Sequence, residues 1–267
     1  DEPAELPTSA TVSTYNAFAS AIHREHALAI GRDPDAEVLG EAAAWQLARR
    51  VVVAADLPGL AEIDRALPSV VSAVVELAHG LSDHAVEDLD AVADYAEALL
   101  RRRDPDVLPL GDRHERRGVV DELDRVAPLP VLLPLVAAFQ EAKRRRGVME
   151  FSDQIASALA IVGASEAAVA SLRERYRFVL LDEYQDTSVV QTRLLSALFR
   201  ERDDDGGRAI VAVGDPNQAI YGWRGASDAN LEDFARDFGL VPAEVPEYQL
   251  SVSWRNPAAV LDAANLI

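Results

Sequence analysis

Residues 176–187 read Tyr176-Arg-Phe-Val-Leu-Leu-Asp-Glu-Tyr-Gln-Asp-Thr187. The apolar run Phe178, Val179, Leu180, Leu181 stops abruptly at Asp182 and Glu183. It is short and carries no 3.6-residue period, the pattern of a strand buried on both faces of a parallel sheet. Two carboxylates then stand at the strand's C-terminal end, where open α/β sheets bind their ligands. Hard oxygen donors at a strand tip suit Mg²⁺ and phosphate chemistry. An acidic pair alone is more often a solvated turn, so the neighbouring segments decide.

A second apolar run at 209–213 ends in another turn, Gly214-Asp-Pro-Asn-Gln218. Glycine lets the chain turn tightly at a sheet edge. Gln218 both donates and accepts, which suits a phosphate oxygen or an attacking water. Tyr221-Gly-Trp-Arg224 then sets two aromatics and an arginine between glycines. That combination suits stacking on unpaired bases, with arginine for backbone charge. Ordinary core packing is the alternative for Tyr221 and Trp223. Ser253-Trp-Arg-Asn256 follows a β-like stretch at 248–252. Arg255 is there either a surface ion pair or a γ-phosphate contact that stabilises transition-state charge.

Outward from these turns the chain is mostly helical. Residues 10–15 are β-prone and read as a short strand, and 16–30 as a helix with Phe18, Ile22 and Ala29 apolar. Gly31-Arg-Asp-Pro34 stops it. From 37 to 147 helical stripes recur: Leu39, Ala43, Leu47, Val51; Val70, Val74, Ala78; Val86, Leu89, Val92, Ala96, Leu99. Pro128, Pro130 and Pro134 mark a break before a last helix through Phe139. Basic clusters at 101–103, 113–117 and 143–146 read as solvated helix ends. Further helices are expected at about 152–162, with Ser152 as N-cap, and at 166–175, 189–199, 231–238 and from Pro257. Residues 203–207 read as a loop, and 1–10 as a disordered lead-in.

The 267 residues suffice for one large domain or two smaller ones. Cysteine is absent, which excludes disulfides and thiolate metal sites. No apolar run reaches the ~18 residues of a membrane span, so no membrane partner and a cytoplasmic location are expected. The net charge of −19 argues against a general nucleic-acid coat. Residues 101–146 nevertheless carry eleven basic and eight acidic residues, 11 − 8 = +3, which leaves −22 elsewhere. Any nucleic-acid contact is therefore local.

Three pieces in order, Leu181-Asp-Glu-Tyr-Gln-Asp-Thr187, Val213-Gly-Asp-Pro-Asn-Gln-Ala-Ile-Tyr-Gly-Trp-Arg-Gly-Ala226 and Leu250-Ser-Val-Ser-Trp-Arg-Asn256, resemble motifs II, III and IV of superfamily 1 DNA helicases of the UvrD/Rep/PcrA/RecB type. Val12-Ser-Thr-Tyr-Asn-Ala-Phe18 is similar to that family's Thr-Phe-His-Ser-Phe motif, with Asn16 in place of the histidine. The stretch from Met149 to Ile155 resembles the family's Phe-x-Asp-Leu segment. Motif IV departs from the usual Asn-Tyr-Arg-Ser but keeps an aromatic and the arginine. The tryptophan there and the Ala/Arg/Asp-rich usage are similar to actinobacterial AdnAB-type helicase–nuclease subunits.

The resemblance implies an α/β fold: part of a RecA-like parallel-sheet motor domain, called 1A, with an inserted all-helical subdomain, 1B. The segments would be 1–31 (start of 1A, single-strand contact), 32–147 (1B) and 148–267 (1A with motifs II–IV). It implies an ATP-dependent DNA helicase or translocase of 3′→5′ polarity in DNA repair or recombination, with ATP and Mg²⁺ as cofactors. Asp182 would hold Mg²⁺, Glu183 polarise the attacking water, and Gln218 sense the γ-phosphate. Trp254 would lie against adenine and Arg255 contact the γ-phosphate. Thr14 and Asn16 would touch the DNA backbone. Tyr221 and Trp223 would stack on bases, supported by Arg224. Expected partners are single-stranded DNA and duplex junctions, the Walker A segment and domain 2A of its own motor, and a second helicase–nuclease subunit. No Gly-x-x-x-x-Gly-Lys-Ser/Thr occurs, and Lys143, the only lysine, precedes three arginines. The expectation is a helicase fragment inactive by itself. The alternative is a non-catalytic, helicase-like nucleic-acid-binding scaffold.

Overall fold

The structure, a computed structural model, describes residues 10–60, 63, 65–102, 113–200, 209–222, 229–250, 252, 256–264 and 266. The chain is mostly helical, with two small parallel sheets. Its helices are α1 (Tyr15–His26), α2 (Glu41–Ala54), α3 (Leu67–Asp83), α4 (Leu89–Arg101), α5 (Arg113–Val126), α6 (Leu129–Arg146), α7 (Phe151–Ala164), α8 (Glu166–Arg175), α9 (Val189–Phe199), α10 (Asn230–Phe238) and α11 (Ala258–Ala264). The strands are β1 (Glu37–Val38), β2 (Val148–Met149), β3 (Phe178–Leu181) and β4 (Ala209–Ala212).

Buried apolar side chains gather in two clusters. The first joins Ala19 and Ile22 of α1 to α7, α8, α9, β3 and α10, with Ile161, Leu172, Leu198 and Phe238 at its centre. The second packs α2, α3 and α6 through Leu47, Val71, Val74, Leu135 and Phe139. Val70, Val74 and Ala78 are buried as the helical stripe requires. On α2 the buried face is Ala44, Leu47, Ala48 and Val52, one position round from the expected stripe.

Several expectations fail for physical reasons. Residues 10–14 form no strand; they lead, extended, into α1, where Thr14 caps the helix by accepting the Ala17 amide at 3.2 Å. Residues 248–250 and 252 are not a strand either, and Tyr248, Leu250 and Val252 are exposed. Residues 37–38 are not helical. Glu37 aligns with Val148 and Val38 with Met149 in a parallel ladder that clips the start of the helical block to its end. Pro134 lies inside α6, which runs on to Arg146 before Gly147 stops it at φ 63°. Helix α7 begins at Phe151 with Glu150 as N-cap, not Ser152, and the Asp153 carboxylate accepts the Glu150 amide at 2.8 Å.

The basic run at the end of α6 is not uniformly solvated. Lys143 is 4% exposed. Its ammonium donates to Glu150 Oε2 at 2.8 Å and Asp153 Oδ2 at 2.6 Å, and His79 Nε2 of α3 meets Glu150 Oε1 at 2.8 Å. Burial pushes the Glu150 carboxyl up, but the His79 and Lys143 contacts outweigh it and hold it below the usual carboxylate value. The Glu150 contact raises His79.

Candidate nucleotide site at the ends of the parallel strands

Strands β3 and β4 pair in parallel, Phe178 with Ala209 through Leu181 with Ala212. A parallel pair puts both C-terminal ends at one edge, so the two acidic turns meet there by topology. The ladder continues past the strands: the Val213 amide donates to the Leu181 carbonyl at 2.8 Å and the Tyr184 amide to the Val213 carbonyl at 3.0 Å. Burial on both faces is not observed. Leu181 is buried, but Phe178 and Leu180 are 62% and 65% exposed. Only the face toward the first cluster is covered among the described residues, and every second side chain points away from it.

At the tip Asp182 and Glu183 are exposed. Glu183 adopts φ 50°, ψ 43°, a left-handed conformation that L-residues enter at a cost of about 1–2 kcal/mol. It turns the chain from β3 into a single 3₁₀ turn, Tyr184–Asp186. Asp182 Oδ1 accepts the Glu183 amide at 3.1 Å, and the Tyr15 hydroxyl of α1 donates to the Asp182 carbonyl at 3.0 Å. Burial pushes the Tyr15 phenol up, against a Thr187 hydrogen bond and with the Asp182 charge. The α1 end is also tied through Asn16, whose Oδ1 accepts from Gln191 Nε2 at 3.3 Å.

The two turns are joined by Gln185, which is 1% exposed. Its Nε2 donates to Glu183 Oε2 at 2.7 Å, and its Oε1 accepts the Asp215 amide at 3.0 Å. Asp215 in turn accepts from the Asn217 amide at 2.9 Å and from Gln218 Nε2 at 2.8 Å. The Gln218 contact and the Asn217 amide hold the Asp215 carboxyl below its ordinary value. A Cβ on Gly214 would collide with Gln185 Oε1 and lie 3.3 Å from the Tyr184 nitrogen, so the close approach of the turns requires glycine. Asn230, at the start of α10, donates to the carbonyl of Thr187 at 2.6 Å and braces the turn from beneath.

Of the expected site residues, Asp182, Glu183 and Gln218 thus belong to one connected edge. Thr14 and Asn16 are exposed beside it, on and just before α1. Tyr221 is half-buried. Trp223, Arg224, Trp254 and Arg255 lie outside the described residues, as does the expected loop at 203–207. Gln185, Asp215, Tyr15 and Asn230 were not singled out from sequence. Gln185 stood in the opening stretch, but nothing in its spacing says that its side chain turns inward.

Among the described residues no group of three His, Asp or Glu side chains could hold a metal. The exposed carboxylates of Asp182 and Glu183 are hard oxygen donors, the type that suits a cation such as Mg²⁺, which takes few protein oxygens and is otherwise held by phosphates and water. No single described helix is long and apolar enough to cross a membrane.

A family model, the UvrD/REP helicase N-terminal domain, matches residues 5–239. Over 131 residues the chain is 34% identical to the ATP-dependent DNA helicase UvrD1 of Mycobacterium tuberculosis, covering 48% of this chain and 16% of that protein. The RecBCD enzyme subunit RecB of the same species is 34% identical over 132 residues, 48% of this chain and 11% of RecB. UvrD2 of Mycobacterium bovis is 34% identical over 131 residues, 48% and 17%. The matches thus span between 11% and 17% of the length of these relatives. The family match takes in α1, the helical block and both turns at the ends of β3 and β4, and the chain belongs to the UvrD/REP helicase N-terminal domain family.

Proposed function

We propose that the chain is part of an ATP-dependent DNA helicase or translocase that works in DNA repair or recombination with 3′→5′ polarity. The observation that carries this reading is the edge itself: two parallel strand ends bring Asp182, Glu183 and Gln218 into one hydrogen-bonded unit. Family membership and the helicase names of the relatives support it.

In this reading the first apolar cluster belongs to a RecA-like motor domain, 1A, and the second to the inserted helical subdomain 1B, with boundaries near 31 and 147. Bound MgATP supplies an electrophilic γ-phosphoryl group with its charge partly neutralised. Asp182 holds Mg²⁺ through its exposed carboxylate. Glu183 orients a water and takes its proton. Gln218 contacts the γ-phosphate, with Arg255 adding charge stabilisation and Trp254 an adenine platform. Thr14 and Asn16 flank Tyr15, whose hydroxyl donates to the Asp182 carbonyl, a short path from a DNA backbone contact to the nucleotide edge. Tyr221 and Trp223 stack on single-strand bases near a duplex junction, supported by Arg224. The Walker A segment and domain 2A are the partners this reading needs to complete the motor; a second helicase–nuclease subunit is the further partner suggested by the likeness to RecB.

The test is Glu183→Gln in the full-length protein. ATP turnover falls about 100- to 10,000-fold, the usual share of a general base, while fluorescent-nucleotide affinity is retained. Full turnover in this variant refutes the general-base role of Glu183, and no DNA-dependent ATP turnover in the unaltered full-length protein refutes the enzymatic reading and leaves a nucleic-acid-binding scaffold.

A further inference from the structure

The proposed roles of Glu183 and Gln218 leave unexplained why the residue between them is a buried glutamine. Gln185 makes no exposed contact, yet uses both ends of its amide. Nε2 holds the Glu183 carboxylate at 2.7 Å, and Oε1 holds the Asp215 amide at 3.0 Å. An amide is the one side-chain group of this length that donates at one end and accepts at the other. Glutamate lacks the donor and methionine lacks both. The space is shaped for it: a Cβ on Gly214 would strike Oε1. Beyond Asp215 the chain of contacts reaches Gln218 Nε2 at 2.8 Å. Glu183 itself stands at φ 50°, a conformation that persists only when its surroundings hold it.

We propose that Gln185 is a positioning residue that fixes the Glu183 carboxylate and the Gly214–Gln218 turn as one body. The group that takes a proton from water and the group that reads the γ-phosphate then shift together rather than independently. Gln185 touches neither nucleotide nor water in this scheme. It acts through the two residues it holds. The inference rests on the reading of Glu183 and Gln218 given above.

Two measurements test it. In the full-length protein, Gln185→Met and Gln185→Glu lower kcat for ATP about 10- to 100-fold, the usual cost of losing a residue that orients a catalytic group. KM for ATP stays within about threefold, because nucleotide contacts are intact. Gln185→Glu keeps the shape and an acceptor for the Asp215 amide but sets a second carboxyl against Glu183, so its loss reports the Glu183 side of the bridge, like-charge repulsion included. The second measurement needs no nucleotide and no Gln185 variant. In the ¹⁵N-labelled 267-residue chain, the Gln185 side-chain amide protons exchange with solvent far more slowly than those of exposed Gln218, and Glu183→Ala shifts them. Loss of kcat with a steady KM, together with protected amide protons, supports the proposal. An unchanged kcat in both variants overturns it, as does Gln185 exchange as fast as that of Gln218. If Glu183→Gln abolishes turnover but the Gln185 variants do not, this inference fails alone. If Glu183→Gln is itself fully active, the reading beneath it has failed.

Discussion

Replacing Lys143 by methionine isolates the buried charge group where α3, α6 and α7 meet. Methionine fills most of the lysine stem but lacks the ammonium, which sits 4.8 Å over the Phe139 ring. What disappears is one positive charge that two carboxylates share at 2.8 and 2.6 Å. Removing one partner of a buried ion pair costs about 3–5 kcal/mol, because the other charge stays behind. Glu150 retains His79 at 2.8 Å, and the Asp153 side chain is 17% exposed, so the lower end, about 3 kcal/mol, applies. For a chain of this size that lowers Tm by roughly 6–12 °C. The assay is thermal unfolding at pH 7 followed by circular dichroism, with Lys143→Met/Asp153→Asn alongside. The double variant removes the stranded charge and recovers part of the loss. A Tm within about 2 °C of the parent for Lys143→Met refutes the reasoning, since it means that water already solvates the group.

The pH dependence of the same group follows from its two shifted members. His79 is raised from 6.5, so its contribution is complete below that value and fades as pH rises through the higher folded value. Glu150 is lowered from 4.5, so its contribution is complete above that value and fades as pH falls through the lower folded one. The Tm difference between parent and His79→Gln is therefore greatest between about pH 4.5 and 6.5 and shrinks toward pH 8; growth over that rise contradicts the assignment. Asn230→Ala leaves the buried Thr187 carbonyl without its 2.6 Å donor and costs about 1–3 kcal/mol in denaturant titration; no shift in the midpoint means that the contact is idle. Gly239 ends α10 at φ 71°, and a Cβ there lies 2.7 Å from Arg200 Nε. Gly239→Ala is expected to lose about 1–2 kcal/mol on the same titration, and an unaltered midpoint counts against the strain.

Much of the framework was legible because it rests on local signals. Helices α8 and α9 span the expected ranges 166–175 and 189–199, with Ser165 and Ser188 at their starts, and β3 ends at the Leu181–Asp182 boundary because polarity changes there. The misreadings share a different cause. A two-residue ladder such as β1–β2 leaves no period in either segment, so only the approach of two segments 148 − 37 = 111 residues apart reveals it. Thr11, Val12 and Thr14 have β propensity but no partner strand among the described residues, and propensity without a ladder yields an extended lead-in. Lys143 looked like its three arginine neighbours because charge, not facing, is what a sequence displays. Its position puts it on the α6 face turned toward Glu150. At the site the acidic pair and Gln218 stood out by residue type. Gln185 and Asn230 did not, because their work is to hold neighbouring backbone and side chains in place.

The uncovered face of the β3–β4 pair has a consequence for handling the protein. Phe178, Leu180 and Val211 form an apolar strip on a sheet of two strands, and among the described residues neither outer edge is hydrogen-bonded to a third. Such an edge is a template for pairing with another molecule. The −19 charge opposes that approach at neutral pH, over a range set by ionic strength. The charge falls to zero near pH 4.6. Mild acid and concentrated salt therefore favour intermolecular strand stacking and precipitation, and low-salt buffer well above neutrality keeps this 28.9 kDa chain dispersed.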